Sequence, residues 1–160
     1  MNGNYLVLAS RIEAELARIA PLVQRAQAAW QRAVETEDDL YVDAVAVNLH
    51  SFYSGIERIL EAIADSIDEA KPTGDNWHRA LLQQMTLSLP GLRPAVISQV
   101  TVELLDKYRG FRHVVRNIYT YNFVPQKVED LVITLPPTFQ AVNDELKIFA
   151  SFLAQAGREP

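Results

Sequence analysis

The sequence predicts an all-α protein, an antiparallel bundle of four long helices with one short helix. Three observations predict it. Apolar residues recur at spacings of three and four along most of the chain, which is the period of one helix face. Glycine is scarce, at 6 of 160 residues. Nowhere does the chain show the alternating apolar and polar pattern of a half-buried strand.

The first stripe is Tyr5, Leu8, Ile12, Leu16, Ile19, Val23, Ala26, Trp30 and Ala33. It predicts a long amphipathic helix over roughly 4–35. Pro21 sits inside it and is expected to bend the helix or break it at Ala20. Asp38 or Asp39 can cap a second helix, whose stripe is Val45, Leu49, Phe52, Ile56, Leu60, Ile63 and Ile67. The stretch "KPTGDN" (Lys71–Asn76) then stops it with a Pro, a Gly and two cap-forming side chains. A short helix over roughly 76–87 follows, carrying Trp77, Leu81, Leu82 and Met85. "LPGLRP" (Leu89–Pro94) reads as a loop.

A third long helix is expected from about Ala95 to Tyr121, with Ile97, Val100, Leu104, Tyr108, Phe111, Val115 and Ile118 inward. Pro125 is placed to open the last helix. Its stripe, Val128, Leu131, Leu135, Phe139, Val142, Leu146, Phe149 and Leu153, runs to about residue 156. Pro136 and Pro137 are expected to kink or interrupt it. Residues 1–160 read as a single helical domain, with no internal repeat.

The chain carries 20 Asp and Glu against 15 Lys and Arg, a formal net charge of -5. That balance argues against general affinity for polyanions, so any contact with nucleic acid has to be local. There is no Cys, which excludes disulfides and thiolate zinc sites and suits a reducing cytoplasm. Charges interrupt the first thirty residues, so no apolar run is long enough for a signal peptide or a membrane span. Val47, Asp75 and Gly110 stand three residues before His50, His78 and His113, so no Glu-x-x-His metal motif exists. Neither a P-loop nor a glycine-rich dinucleotide fingerprint is present. No metal site and no cofactor is expected.

One stretch departs from the acidic background. "KYRGFRHVVRNIYTYNF" (Lys107–Phe123) gathers Lys107, Arg109, Arg112 and Arg116 beside His113, with Tyr119 and Tyr121 after them. Residues three or four apart share a helix face, so Arg109, Arg112 and Arg116 form a cationic row with Tyr119 below it. Two readings stand. The arginines can pair with carboxylates of a neighbouring helix or a second subunit, such as Glu57, Glu61 or Asp65. Alternatively they form an anion site, since Arg grips phosphate with a planar fork and Tyr offers a hydroxyl and a stacking face. Those side chains are the ones that single-stranded RNA recognition uses.

"FRHVVRNIYTY" (Phe111–Tyr121) resembles the signature segment of HEPN domains, in particular the HepT-like toxins. That signature is an Arg followed a few residues later by a His, often with a Tyr next but one. Arg112 matches the Arg and Tyr119 the Tyr, whereas Asn117 stands where the family usually has His. "HSFYSGIERILEAIA" (His50–Ala64) and "DNWHRALLQQM" (Asp75–Met85) also look like this family, and the resemblance covers roughly residues 40–155.

The resemblance implies a helical homodimer whose motif helices face each other across a shared cleft. It implies a metal-independent ribonuclease that acts as a toxin. The usual partner is an antitoxin resembling a minimal nucleotidyltransferase, which in some systems adds AMP to the motif Tyr. Carried over, Arg112 would hold the scissile phosphate and stabilise its developing charge. Arg109, Arg116, Tyr119 and Tyr121 would bind RNA and phosphate, and Tyr119 would be the adenylylation site. Tyr53, Glu57 and His78 become candidate cleft or dimer residues, with plain structural pairing as their alternative.

Asn117 can donate and accept hydrogen bonds but cannot exchange a proton near neutral pH. Losing a positioned proton-transfer group costs about 10²–10⁴-fold in rate. Either the nuclease is degenerate or another residue takes over. His113 is the nearest candidate, although it projects about 100° from Arg112 around the helix. His78 is the second, and its alternative is a capping or packing role. His50 reads as a packing residue. Besides the ribonuclease, a non-catalytic dimeric module that binds a nucleotide or a partner protein fits the same residues.

Overall fold

The computed structural model describes the backbone of residues 1–117 and 125–160 and the side chains of residues 1–111 and 126–160. Five α-helices lie within them: α1 (Gly3–Thr36), α2 (Asp39–Ile63), α3 (Trp77–Gln84), α4 (Gln99–Asn117) and α5 (Pro125–Ala156). A π-helical turn, Ala64–Asp68, extends α2. Among the described residues there is no named strand, and one isolated backbone bridge joins Leu89 to Arg93. The all-α class, with four long helices and one short one, is therefore the one the periodicity predicts.

The helix ends follow local chemistry. Asn2 caps α1, its Oδ1 accepting from Asn4 N at 3.1 Å and Tyr5 N at 3.4 Å. Glu37 closes α1 in the left-handed region at φ 57°, and its N–H donates to Ala33 O. Asp38 at once caps α2 by accepting from Leu40 N at 3.0 Å. A connection this short forces α1 and α2 into antiparallel contact. The first helix packs on α2 and α5, α2 also packs on α4, and α4 packs on α5.

Three points are corrected: the break at Pro21, the interruption at Pro136 and Pro137, and the start of α4. Pro21 does not break α1, which runs unbroken past it. Pro21 and Ala17, whose carbonyl loses its usual partner, are both exposed, so water can satisfy the freed oxygen. Pro136 and Pro137 likewise lie inside an uninterrupted α5. Thr134 and Thr138 flank them and donate their hydroxyls to the carbonyls of Asp130 and Thr134 at 2.9 and 2.8 Å. The third correction concerns α4, which starts at Gln99 rather than near Ala95. Ser98 Oγ accepts from Thr101 N at 3.2 Å and sets the phase of the helix. Val100 is consequently 67% exposed, and Val102 and Leu105 take the core positions.

Phe52 stands at the centre of the core with no exposed surface. Its ring meets Tyr108 of α4 edge-on at 5.4 Å and Phe139 of α5 at 6.4 Å. Such contacts add about 0.5–1.5 kcal/mol each beyond area burial. They fix the level at which three helices meet.

Below this level lies a buried ion pair. Arg93 and Asp68 side chains are 0% and 2% exposed. Arg93 Nε donates to Asp68 Oδ1 at 2.5 Å and Nη2 to Oδ2 at 2.7 Å. The remaining donors reach the carbonyls of Leu87, Pro94 and Gln84. Every N–H of the guanidinium thus has an acceptor. Gln84 Nε2 adds a bond to Asp68 at 2.7 Å. The clamp ties the π-turn after α2 to the connection that precedes α4.

Arg93→Met is expected to lower the unfolding free energy by about 3–5 kcal/mol, because it leaves the Asp68 carboxylate buried without its partner. Adding Asp68→Leu to that variant is expected to recover much of the loss. Urea denaturation of the single and double variants measures both.

Candidate functional site

Residues 107–117 of the basic segment lie on α4, and three anchors set that helix. At its start, Glu145 of α5 accepts from Ser98 N at 2.5 Å, from Ser98 Oγ at 2.8 Å and from Thr101 Oγ1. A carboxylate at a helix N-terminus meets unsatisfied N–H groups and the positive end of the helix dipole. Midway, Tyr108 is 1% exposed, and its hydroxyl donates to Leu131 O at 2.8 Å. The same oxygen lies 2.9 Å from Thr134 Oγ1. Burial pushes the Tyr108 hydroxyl above the ordinary tyrosine range, while the hydrogen bond with Thr134 acts the other way. Phe111, 8% exposed, is the third anchor.

The backbone of Arg112, His113, Arg116 and Asn117 continues α4 beyond these anchors. Their side chains, and the whole of Tyr119 and Tyr121, lie outside the described residues, as do the expected core positions Val115 and Ile118. Arg109 is described. Its Nε donates to Asp106 Oδ1 at 2.6 Å on the same helix, and its side chain stays 28% exposed. One edge of its fork is therefore engaged locally.

The second cluster joins α2 to α3. Tyr53 is 1% and Glu57 4% exposed, so both lie within the bundle. Glu57 Oε2 is 2.7 Å from His78 Nδ1. A carboxylate only accepts, so neutral His78 carries its proton on Nδ1. The Trp77 ring lies against the imidazole with centroids 3.6 Å apart. The segments "HSFYSGIERILEAIA" and "DNWHRALLQQM" thus meet through one carboxylate and one imidazole.

The two clusters sit at different levels. Asp68, after α2, is clamped to Arg93, ahead of α4, while Phe52 opposes Tyr108. These contacts make α2 and α4 antiparallel. Glu57 lies beyond Phe52 in one direction along the bundle, and Arg112 lies beyond Tyr108 in the other. With a rise of 1.5 Å per residue, their backbones are separated by about 13 Å along the axis. Within the chain the carboxylate–imidazole pair and the Arg112 backbone are neighbours on adjoining helices, not partners at one level.

Comparison with known families now bears on this arrangement. The family model described as HepT-like protein matches residues 44–153. The chain belongs to the HepT-like family of HEPN proteins. No curated protein and no solved structure matches it. The span matched by the HepT-like model includes Tyr53, Glu57, His78, Arg109 and Arg112–Tyr121, and it leaves α1 outside. Among the described residues of this HepT-like protein, no group of three or more His, Asp or Glu side chains could hold a metal ion. Nor is any described helix long and apolar enough to cross a membrane.

Sequence reasoning missed Arg93 and Glu145. A lone Arg beside Pro94 and a lone Glu on a solvent-leaning stripe carry no local signal of burial or capping. Only the tertiary contacts assign them.

Two measurements follow from this geometry. The Tyr108 pKa is raised in the folded state, so its contribution to stability is complete below the ordinary tyrosine range and fades as pH rises through it. Stability in urea is expected to fall above about pH 10, and Tyr108→Phe is expected to flatten that fall. At neutral pH the same variant should cost about 1 kcal/mol. Separately, ¹⁵N spectra of the imidazoles are expected to place the neutral His78 proton on Nδ1. Glu57→Leu should abolish that preference and cost about 1–3 kcal/mol.

Proposed function

We propose that this HepT-like protein is a ribonuclease toxin of a toxin–antitoxin pair, folded as one domain over residues 1–160 and acting in the cytoplasm as a homodimer. The observation that carries the reading is the family match, which spans Arg112 and Tyr119 together with the Glu57–His78 pair. In this reading two copies of α4 face each other across a cleft. Arg112 of each grips the RNA phosphate with a bidentate fork and stabilises the charge that develops there. Arg109 and Arg116 add local positive potential in a protein that is otherwise acidic, and Tyr119 and Tyr121 offer hydroxyls and stacking faces.

Proton transfer falls to His113, which adjoins Arg112 on the same helix. Asn117 holds a hydrogen-bonding place without exchanging a proton. Glu57 and His78 brace α3 against α2 and so support the wall from which α4 projects. The antitoxin partner is a minimal nucleotidyltransferase, and Tyr119 is the group it adenylylates.

The Asn at position 117 favours a second reading, in which the dimer binds RNA, a nucleotide or a partner protein without cleaving. One assay separates the two. Purified protein is incubated with single-stranded RNA in EDTA beside an Arg112→Ala control. Cleavage is expected, and the substitution is expected to reduce its rate by about 10²–10³-fold. RNA binding without cleavage, lost in the variant, establishes the binding module. A variant altered only in thermal stability overturns both. Light scattering at micromolar concentration is expected to give the mass of two chains, and the mass of one chain would remove the shared cleft.

A further inference from the structure

A crevice between α1 and α2 stands apart from the basic segment. Gly55 marks a close approach of these helices, since a Cβ built there would lie 2.8 Å from Ile19 Cγ1. The two helices leave a crevice of about 380 Å³, within the lower range of small-ligand pockets. Leu8, Ile12, Ile59 and Ala62 contribute its apolar lining. The rim includes Asp65 and Ser66 of the π-turn. Turns of this kind are rare and recur at functional sites.

Five charged groups line the same space: Arg11, Glu15, Arg58, Glu61 and Asp65. The carboxylates are already engaged. Glu15 takes Arg18 at 2.8 Å, and Glu61 takes Lys71 at 2.8 Å. Lys71 also lies 3.8 Å from Asp65. Neither Arg11 nor Arg58 has an ion pair or hydrogen bond among the described residues. Both are exposed, one on each helix. The crevice therefore presents two open guanidinium forks above an apolar floor.

We infer that this crevice binds a small organic anion, its phosphate, sulfonate or carboxylate group held between Arg11 and Arg58 and its aromatic or aliphatic body on the apolar floor. Guanidinium forks suit planar and tetrahedral oxyanions, and two forks from facing helices can hold one anion from both sides. The site is independent of the nuclease reading. One wall, α1, with four of the ten lining residues, lies outside the residues matched by the family model.

Phenyl phosphate is the probe, titrated into the full chain and followed in ¹H–¹⁵N spectra. Shifts are expected to cluster on residues 8–15 and 58–66. Inorganic phosphate and phenol, each carrying half of the recognition, are expected to bind at least about tenfold more weakly. The double variant Arg11→Gln with Arg58→Gln is expected to weaken phenyl phosphate by at least about tenfold with its melting temperature unchanged, because both side chains are exposed. Glu15→Gln should tighten binding by removing a competing carboxylate. Shifts confined to other surfaces, or a double variant that binds as tightly as the native chain, would overturn the assignment.

Discussion

The buried pairing of Arg93 with Asp68 is the constraint on which the positions of the other elements depend. Its guanidinium satisfies a carboxylate from the π-turn and carbonyls on both sides of the connection between α3 and α4. Two ions so deeply placed are tolerated only when every donor and acceptor is met, and here all are. The clamp fixes where α4 begins relative to α2. From that origin the helix can run in one direction and one phase, which Glu145 sets at its first turn and Tyr108 confirms midway. Residues 107–117 of the basic segment continue α4 from this frame.

The frame also shows how this acidic protein disposes of part of its charge. Negative charge is spread along solvent faces, and several carboxylates are engaged locally: Asp106 by Arg109, Glu15 by Arg18, Glu61 by Lys71. Buried carboxylates serve structure, Glu57 toward His78 and Asp68 toward Arg93. Among the described residues, Arg11 and Arg58 have no such pairing, and both line the crevice between α1 and α2.

Much of the fold was legible in the sequence because helix periodicity and capping are local. Asp38 was readable as a cap, and Phe52, Tyr108, Phe139 and Phe149 were readable as core, since each sits on its stripe. That α1 runs unbroken through Pro21 also has a physical reason. A proline costs most where its freed carbonyl is buried, and Pro21 stands on a face where water reaches it. The misplaced start of α4 came from taking Ile97 as the first residue of a helical stripe. It precedes the helix, and its N–H instead donates to Met85 O at 3.2 Å.

The sequence by itself determined the helical class, the order of the elements, the family signature around Arg112 and the absence of thiol chemistry. These depend on neighbours within one or two turns, or on residue types alone. Tertiary structure decided which distant side chains meet: Glu57 with His78 across 21 residues, Arg93 with Asp68 across 25, Ser98 with Glu145 across 47. It also decided that Arg11 and Arg58 share a crevice. A polar side chain can pair with many partners of suitable charge at almost equal local cost. Only the packing of the whole bundle selects one.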